Sequence, residues 1–297
     1  MSKPNQSLLI ICITLIISIQ ACLLVLFYNP SFQLFTDDFN ITITTTTANN
    51  TWNPSTRPFY LGFEHVFVII KDNDSKRTRF MKSQFEFLQI NYTFIQGSLP
   101  NDASVSEFRL RHPDFKPFSF DHVKISHFRV YERALLEGLN NVLIMEDDVD
   151  LEMVAPILLP MALTQLPSNW DYFGLFYNLE SSPLQDKLTK VNTNVYAMKR
   201  NTPLWIGGVA YGLSRQGMEK LMDVGVSNGI AGDVTCLEMI MRGDLNGFVV
   251  YPMMADHLGH SSEFPSSRFM VGVNHYPPYQ TKLRYSTYEA IRNQLKP

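Results

Sequence analysis

The chain has 297 residues, 45% of them hydrophobic and 12% aromatic, which is enough for one large domain or two modest ones around a substantial core. A formal net charge of −3 argues against a polyanionic partner and so against nucleic-acid binding. Ordinary glycine and proline usage excludes a disordered chain outside the amino-terminal region.

From Leu8 to Phe27 no residue is charged, and only Thr14, Ser18 and Gln20 are clearly polar. That length crosses a bilayer, and it is longer than the apolar core of a cleaved leader. Residues 1–7 therefore read as a cytosolic tail and 8–28 as a retained transmembrane helix. Lys3 before the span and Asp37 and Asp38 after it give a single-pass type II orientation. Residues 29–57, with Thr42, Thr44, Thr45, Thr46 and Thr47, read as a stem. Asn40 and Asn49 head glycosylation sequons there, and Asn73 and Asn91 do so further on. This pattern places 58–297 in the lumen of the Golgi or endoplasmic reticulum. Cys12 and Cys22 lie in the span, leaving Cys236 alone in the globular part, where no disulfide is possible.

Within 58–297, His65 to Ile70 is a β-branched and aromatic run that predicts a first strand, followed by a polar loop through Arg79. Phe80, Phe85, Leu88 and Ile90 predict a helix, and Tyr92 to Ile95 a second strand. Pro100, Pro113 and Pro117 interrupt the next stretch. Val123, Phe128, Tyr131, Leu135 and Leu139 then recur at helical spacing, with Asp121 as the expected N-cap and Gly138 as the stop. Asn141 to Val149 is an apolar strand that breaks into Glu146, Asp147 and Asp148. Pro156 and Pro160 imply a broken or kinked helix over 151–166. Asp171 to Tyr177, Val195 to Met198 and Trp205 to Tyr211 read as strands, with 180–190 as a surface loop. Ser214 caps a helix to about Met222. Asp233 to Arg242 is another helix, closed by Gly243, and Phe248 to Tyr251 is a late strand. Beyond Tyr276 no element is clear. Alternating strands and helices without internal repeats predict a single α/β domain.

Three adjacent carboxylates repel one another and are rarely buried without a cation. At the carboxyl end of a buried strand, where open α/β sheets place their ligands, they point to a divalent metal; a solvated acidic turn is the alternative.

The order of these blocks resembles glycosyltransferase family 25. The likeness rests on Val66 to Ile69, on Ser126-His127, and on Leu143 to Val149 with its Glu-Asp-Asp. It continues through Leu166 to Asp171, Gly208 to Arg215 and Asp233. It implies a GT-A-like single domain with a mixed, mostly parallel sheet, and a UDP-sugar donor, usually UDP-galactose. It also implies Mn²⁺ or Mg²⁺, which hard carboxylate oxygens favour. In extended geometry Glu146 and Asp148 would face one way and Asp147 the other. Asp148 is then the expected metal ligand, with Asp147 and Glu146 toward metal or nucleotide. His257 completes the metal site in competition with Asp256 and His260. Ser126 and His127 are candidates for phosphate contact, with helix packing as the alternative. Asp233 is the candidate base for inverting transfer to a glycan or glycoprotein hydroxyl, with Glu238 second and an N-cap role as the alternative for Asp233. The chain departs from the family after the first strand, where it reads Ile70-Lys71-Asp72-Asn73-Asp74 but keeps Arg77 and Arg79. A catalytically silent sugar- or protein-binding module is the competing reading.

Overall fold

A computed structural model describes residues 58–73, 75–177, 184–201, 204, 206–258 and 283–294. The expected tail, anchor and stem, and His260, lie outside the described residues. Among the described residues no helix is long and apolar enough to cross a membrane.

The chain begins with β1 (His65–Ile70), α1 (Lys76–Leu88) and β2 (Thr93–Gln96), so the expected β-α-β opening is present. Ser75 caps α1 by accepting the Thr78 amide, which starts the helix inside the stretch expected to be loop. Next comes α2 (Ala103–Arg111), an unexpected helix lying between the prolines that mark its flanks. In α3 (Asp121–Leu136) the cap position belongs to Phe120. Asp121 is the first helical residue instead, and its carboxylate pairs with Arg109 of α2.

Then follow β3 (Asn141–Glu146), β4 (Val149–Leu151), α4 (Ala155–Leu163) and β5 (Tyr172–Gly174). The helix expected over 151–166 is thus shortened: its first residue is a strand end and Pro156 sits in its first turn, where a missing amide costs nothing. The expected 180–190 loop contains α5 (Leu184–Lys187) and β6 (Leu188–Lys190), which leads to β7 (Val195–Met198). The strand expected over 205–211 starts late, as β8 (Ala210–Ser214), because Gly207 and Gly208 precede it in non-strand conformation. The Ser214 hydroxyl accepts the Gly217 amide and caps α6 (Arg215–Ser227) as expected. The order closes with α7 (Gly232–Arg242), β9 (Gly247–Val250), β10 (Ala255–His257) and α8 (Thr287–Gln294).

Eight strands form one sheet in the order β2-β1-β3-β8-β5-β9-β7-β6, and β10 pairs with β4 in a second, two-stranded sheet. The main sheet is mixed rather than mostly parallel. Parallel pairing joins β1 to β2 and β3, and β5 to β9, whereas β8 runs antiparallel to both β3 and β5, and β7 antiparallel to β9 and β6. An inserted antiparallel strand leaves no mark in hydrophobic pattern, so the sequence could not reveal it.

Alternation along β3 divides the core between the sheet's two faces. Val142 and Ile144 join Phe67, Tyr172, Tyr211 and the apolar sides of α2, α3, α6 and α7. Leu143 and Met145 join Val66, Val68, Phe173 and the apolar sides of α1 and α4. Both faces are covered, which is why β3 reads as continuously apolar. Two glycines permit this packing. A Cβ on Gly212 would enter the Phe63 ring, and one on Gly217 would collide with the Asp171 carbonyl.

Candidate active site

Strand geometry ends at Glu146, and Asp147 and Asp148 form a turn before β4. The turn breaks the alternation expected for extended backbone. Asp147 and Asp148 face the same neighbour, Arg77, while Glu146 faces α3. The three acids are thereby divided between two clusters.

In the first cluster, Arg77 Nη1 lies 2.9 Å from Asp148 Oδ2 and 3.3 Å from Asp147 Oδ1. The Lys71 amide donates to Asp147 Oδ2 at 3.1 Å, so the altered loop after β1 supplies a contact of its own. Antiparallel pairing of β10 with β4 sets His257 opposite Val149, and the Leu258 amide donates to the Asp148 carbonyl at 2.8 Å. This register brings His257 Nε2 to 3.0 Å from Asp148 Oδ2. Burial alone would raise the Asp148 pKa, but the His257 hydrogen bond, its charge and the Arg77 charge outweigh it and hold the carboxyl low. The imidazole responds in kind: burial would lower its pKa, and Asp148 drives it up. Asp147 is raised, first by burial.

Among the described residues no group of three or more His, Cys, Asp or Glu side chains surrounds a single cation position. Asp148 and His257 nevertheless suit one. Asp148 Oδ1 is buried without a hydrogen-bond partner among the described residues, and a carboxylate with an imidazole is a donor pair that Mn²⁺ accepts. Asp256, the competitor of His257, is buried and accepts the His257 amide through its own Oδ1.

The second cluster lies between α3, β3 and α7. His127 Nε2 is 3.3 Å from Glu146 Oε1, and Nδ1 is 2.8 Å from the Tyr211 hydroxyl, which is 2.6 Å from that of Tyr131. Gly208 makes room: a Cβ there would lie 3.0 Å from Glu146 Oε1. Asp233, in the first turn of α7, accepts the Val234 amide and is not the N-cap, a position held by Ala231. Burial raises its pKa, and the nearby Glu146 charge adds to the rise. Glu238 lies on the exposed side of the same helix.

Two further findings bear on the cluster residues. Ser126 donates to the His122 carbonyl and accepts the Ser98 amide, so its hydroxyl ties the segment after β2 to α3. Lys124, buried on α3, donates to the Asn228 carbonyl, the Asn228 side-chain oxygen and the Ile230 carbonyl at 2.6–2.9 Å. It thereby holds the turn from which α7, and Asp233, depart.

The strand beyond the acidic turn has a cover that no sequence pattern announced. Glu152 accepts the Arg284 and Tyr285 amides, and Asp150 accepts the Ser286 hydroxyl and the Tyr288 amide. The Thr287 hydroxyl donates to the Leu151 carbonyl, and Gln84 of α1 bonds the Val149 carbonyl and Leu151 amide from elsewhere. The acids at 150 and 152 alone could have signalled buried partners; their sequence-distant donors could not be read.

Comparison with solved structures gives likenesses of low identity. A197 from STIV shares 12% identity at a TM-score of 0.39, over 65% of this chain and 85% of that one. A glycosyltransferase involved in glycosylation of the major capsid of PBCV-1 shares 9% at 0.37, over 67% and 94%. The mannose-1-phosphate geranyltransferase from Thermus thermophilus shares 11% at 0.37, over 65% and 75%. No curated protein matches by sequence. The model of glycosyltransferase family 25 (LPS biosynthesis protein) matches residues 63–235, a span that holds β1, the divided acids, His127, Tyr211 and Asp233 and exceeds half of the chain. The chain belongs to glycosyltransferase family 25.

Proposed function

We propose that this glycosyltransferase moves a hexose, galactose from UDP-galactose, to a hydroxyl of a glycan or glycoprotein acceptor, with inversion and with a divalent cation, Mn²⁺ or Mg²⁺. The observation that carries the reading is the division of Glu146, Asp147 and Asp148 between a cluster with Arg77 and His257 and a cluster containing a half-buried carboxyl, Asp233, with a raised pKa. Inverting transfer needs charge stabilisation on one side of the anomeric carbon and a base on the other.

Asp148 and His257 are the residues that would hold the cation, with Asp147 alongside. A cation there supplies Lewis-acid stabilisation of the charge that develops on the departing diphosphate. Asp233 takes the proton of the attacking hydroxyl as the new carbon–oxygen bond forms and the bond to the diphosphate breaks. Its raised pKa makes it a stronger base, and the Val234 amide, bound to Oδ1, leaves Oδ2 for the proton. Glu146, oriented by His127, faces the same space and offers an acceptor for a sugar hydroxyl.

The second reading, a sugar- or protein-binding module, is favoured by one observation: Arg77 already bridges the two acids meant for the cation. Incubating the protein with Mn²⁺ and a panel of UDP-sugars separates the two. Donor hydrolysis or transfer supports the enzyme. UDP binding with neither hydrolysis nor transfer overturns it.

We further propose single-pass type II anchoring through residues 8–28, with the catalytic domain in the lumen of the Golgi or endoplasmic reticulum. Retention in the membrane pellet after alkaline carbonate extraction is the expected result. Release into the supernatant overturns it.

A further inference from the structure

We infer that Arg77 is a resident counter-cation that competes with the divalent metal for Asp148 and, once displaced, pairs with the donor's diphosphate, so that metal and nucleotide bind cooperatively. The inference rests on the metal-dependent reading above and assigns to this chain's own arginine the coupling between the two ligands.

The geometry supplies the competition. One nitrogen, Nη1, serves both Asp147 Oδ1 and Asp148 Oδ2, and the Arg77 side chain is only 15% exposed. Asp148 is asymmetric. Oδ2 is shared between Arg77 and His257, whereas Oδ1, though buried, has no hydrogen-bond partner among the described residues. A carboxylate so arranged can exchange one cation for another without losing compensation. A divalent ion entering between Asp148 and His257 would stand within a few ångströms of the guanidinium, and like charges at that separation repel strongly in a site this buried. The guanidinium must therefore withdraw as the metal enters.

The position of Arg77 in the helix says where it goes. It lies in the first turn of α1, which carries no acidic residue. Positive charge there is opposed by the helix dipole, and the ion pairs with Asp147 and Asp148 offset that cost. When those carboxylates turn to a metal, the guanidinium is left beside the same turn as positive charge without its carboxylate partners. A diphosphate is opposite to it in sign, and guanidinium binds phosphate oxygens bidentately. Each ligand thus removes an obstacle to the other. Linkage requires the effect to be reciprocal.

Arg77→Gln separates this from a structural role. Mn²⁺ binding to full-length protein in detergent is followed by loss of the free-ion paramagnetic resonance signal, with and without UDP, and UDP binding by calorimetry with and without Mn²⁺. Without UDP, Arg77→Gln should bind Mn²⁺ severalfold more tightly than the parent protein. The enhancement by UDP, on the order of tenfold or more in the parent for a coupling of this kind, should shrink severalfold, leaving the part that direct attraction between cation and diphosphate supplies. Arg77→Lys keeps a charge but not the planar fork, and should retain part of the competition. Should Arg77→Gln prove too unstable to assay, the Lys variant decides by the same comparison. An Mn²⁺ affinity in the variants equal to or weaker than the parent's without UDP overturns the inference while leaving the metal site standing. Absence of Mn²⁺ binding to the parent even with UDP overturns the metal-dependent reading and this inference together.

Discussion

The hydroxyl of Tyr211 stands 2.8 Å from Nδ1 of His127 and thereby fixes which imidazole nitrogen faces Glu146. In the neutral ring with Nε2–H directed at the carboxylate, Nδ1 accepts from Tyr211, whose oxygen then accepts from Tyr131 at 2.6 Å. Tyr172 stacks on Tyr211 with ring centroids 5.6 Å apart, yet its own buried hydroxyl has no hydrogen-bond partner among the described residues. The two phenols should respond oppositely to loss of oxygen. Tyr211→Phe strands Nδ1 and the Tyr131 hydroxyl and should destabilise by about 1–3 kcal/mol. Tyr172→Phe removes an unsatisfied group and should be neutral or stabilising by about 1 kcal/mol. Urea denaturation of the pair measures both, and equal losses would contradict the assignment.

Asp233 and Asp148 should separate in kinetics. Asp233→Asn keeps the side-chain oxygen that accepts the Val234 amide but cannot take a proton, so transfer should fall by about 10²–10⁴-fold with donor binding retained. Asp148→Asn should instead remove metal-dependent UDP binding. Calorimetry with UDP and Mn²⁺, run beside the transfer assay, distinguishes them. Unchanged metal-dependent binding in Asp148→Asn would move the cation elsewhere.

Two glycines test space against conformation. At Gly217 a Cβ meets the Asp171 carbonyl, and this backbone, held just before β5 by hydrogen bonds with Ser214 and Asn246, cannot readily yield, so Gly217→Ala should cost about 3 kcal/mol or more. At Gly138 nothing lies within 4 Å, but φ is +76°, so Gly138→Ala should cost about 1 kcal/mol through the left-handed backbone alone. Denaturant midpoints of the two variants give the comparison.

Lys124 carries a pH signature. Burial among Phe115, Phe118 and Phe128 lowers its pKa from the usual 10.5 to about 8. Below about pH 8 both folded and unfolded chains hold the proton. Between about 8 and 10.5 the unfolded chain holds more, so this residue makes stability rise with pH there, by at most about 1.4 kcal/mol per unit. Lys124→Met should abolish that contribution. The stability difference between parent and variant, measured by denaturant unfolding from pH 7.5 to 10, should therefore shift in the parent's favour as pH rises. A constant difference would show that the amine titrates normally.

Much of the fold is legible where one physical signal acts alone. Apolar runs locate β1 and β3, the serine at 214 locates the start of α6, and Gly243, at φ +84°, closes α7 as a left-handed cap should. Legibility ends where long-range pairing decides. The residues of β8 contain nothing that states its direction, and α2 hides between prolines that read as interruption throughout. At the site, candidates far apart in sequence come together: His257 meets Asp148, and Asp233 lies near Glu146. The arrangement within it does not follow. Alternation assumes extended backbone through Asp148, and the turn at 147–148 regroups the acids.

The cover over β4 has a consequence for how the protein is made. Asp150 and Glu152 wait for amides at Arg284, Tyr285 and Tyr288, and Asp148 waits for His257. All of these partners leave the ribosome after residue 235, where the family likeness ends. During synthesis the acidic strand must therefore persist for more than a hundred residues with its charges uncompensated by their final partners. A nascent chain stalled before these elements would hold most of the sheet but would lack His257 beside Asp148 and the amides that cover β4.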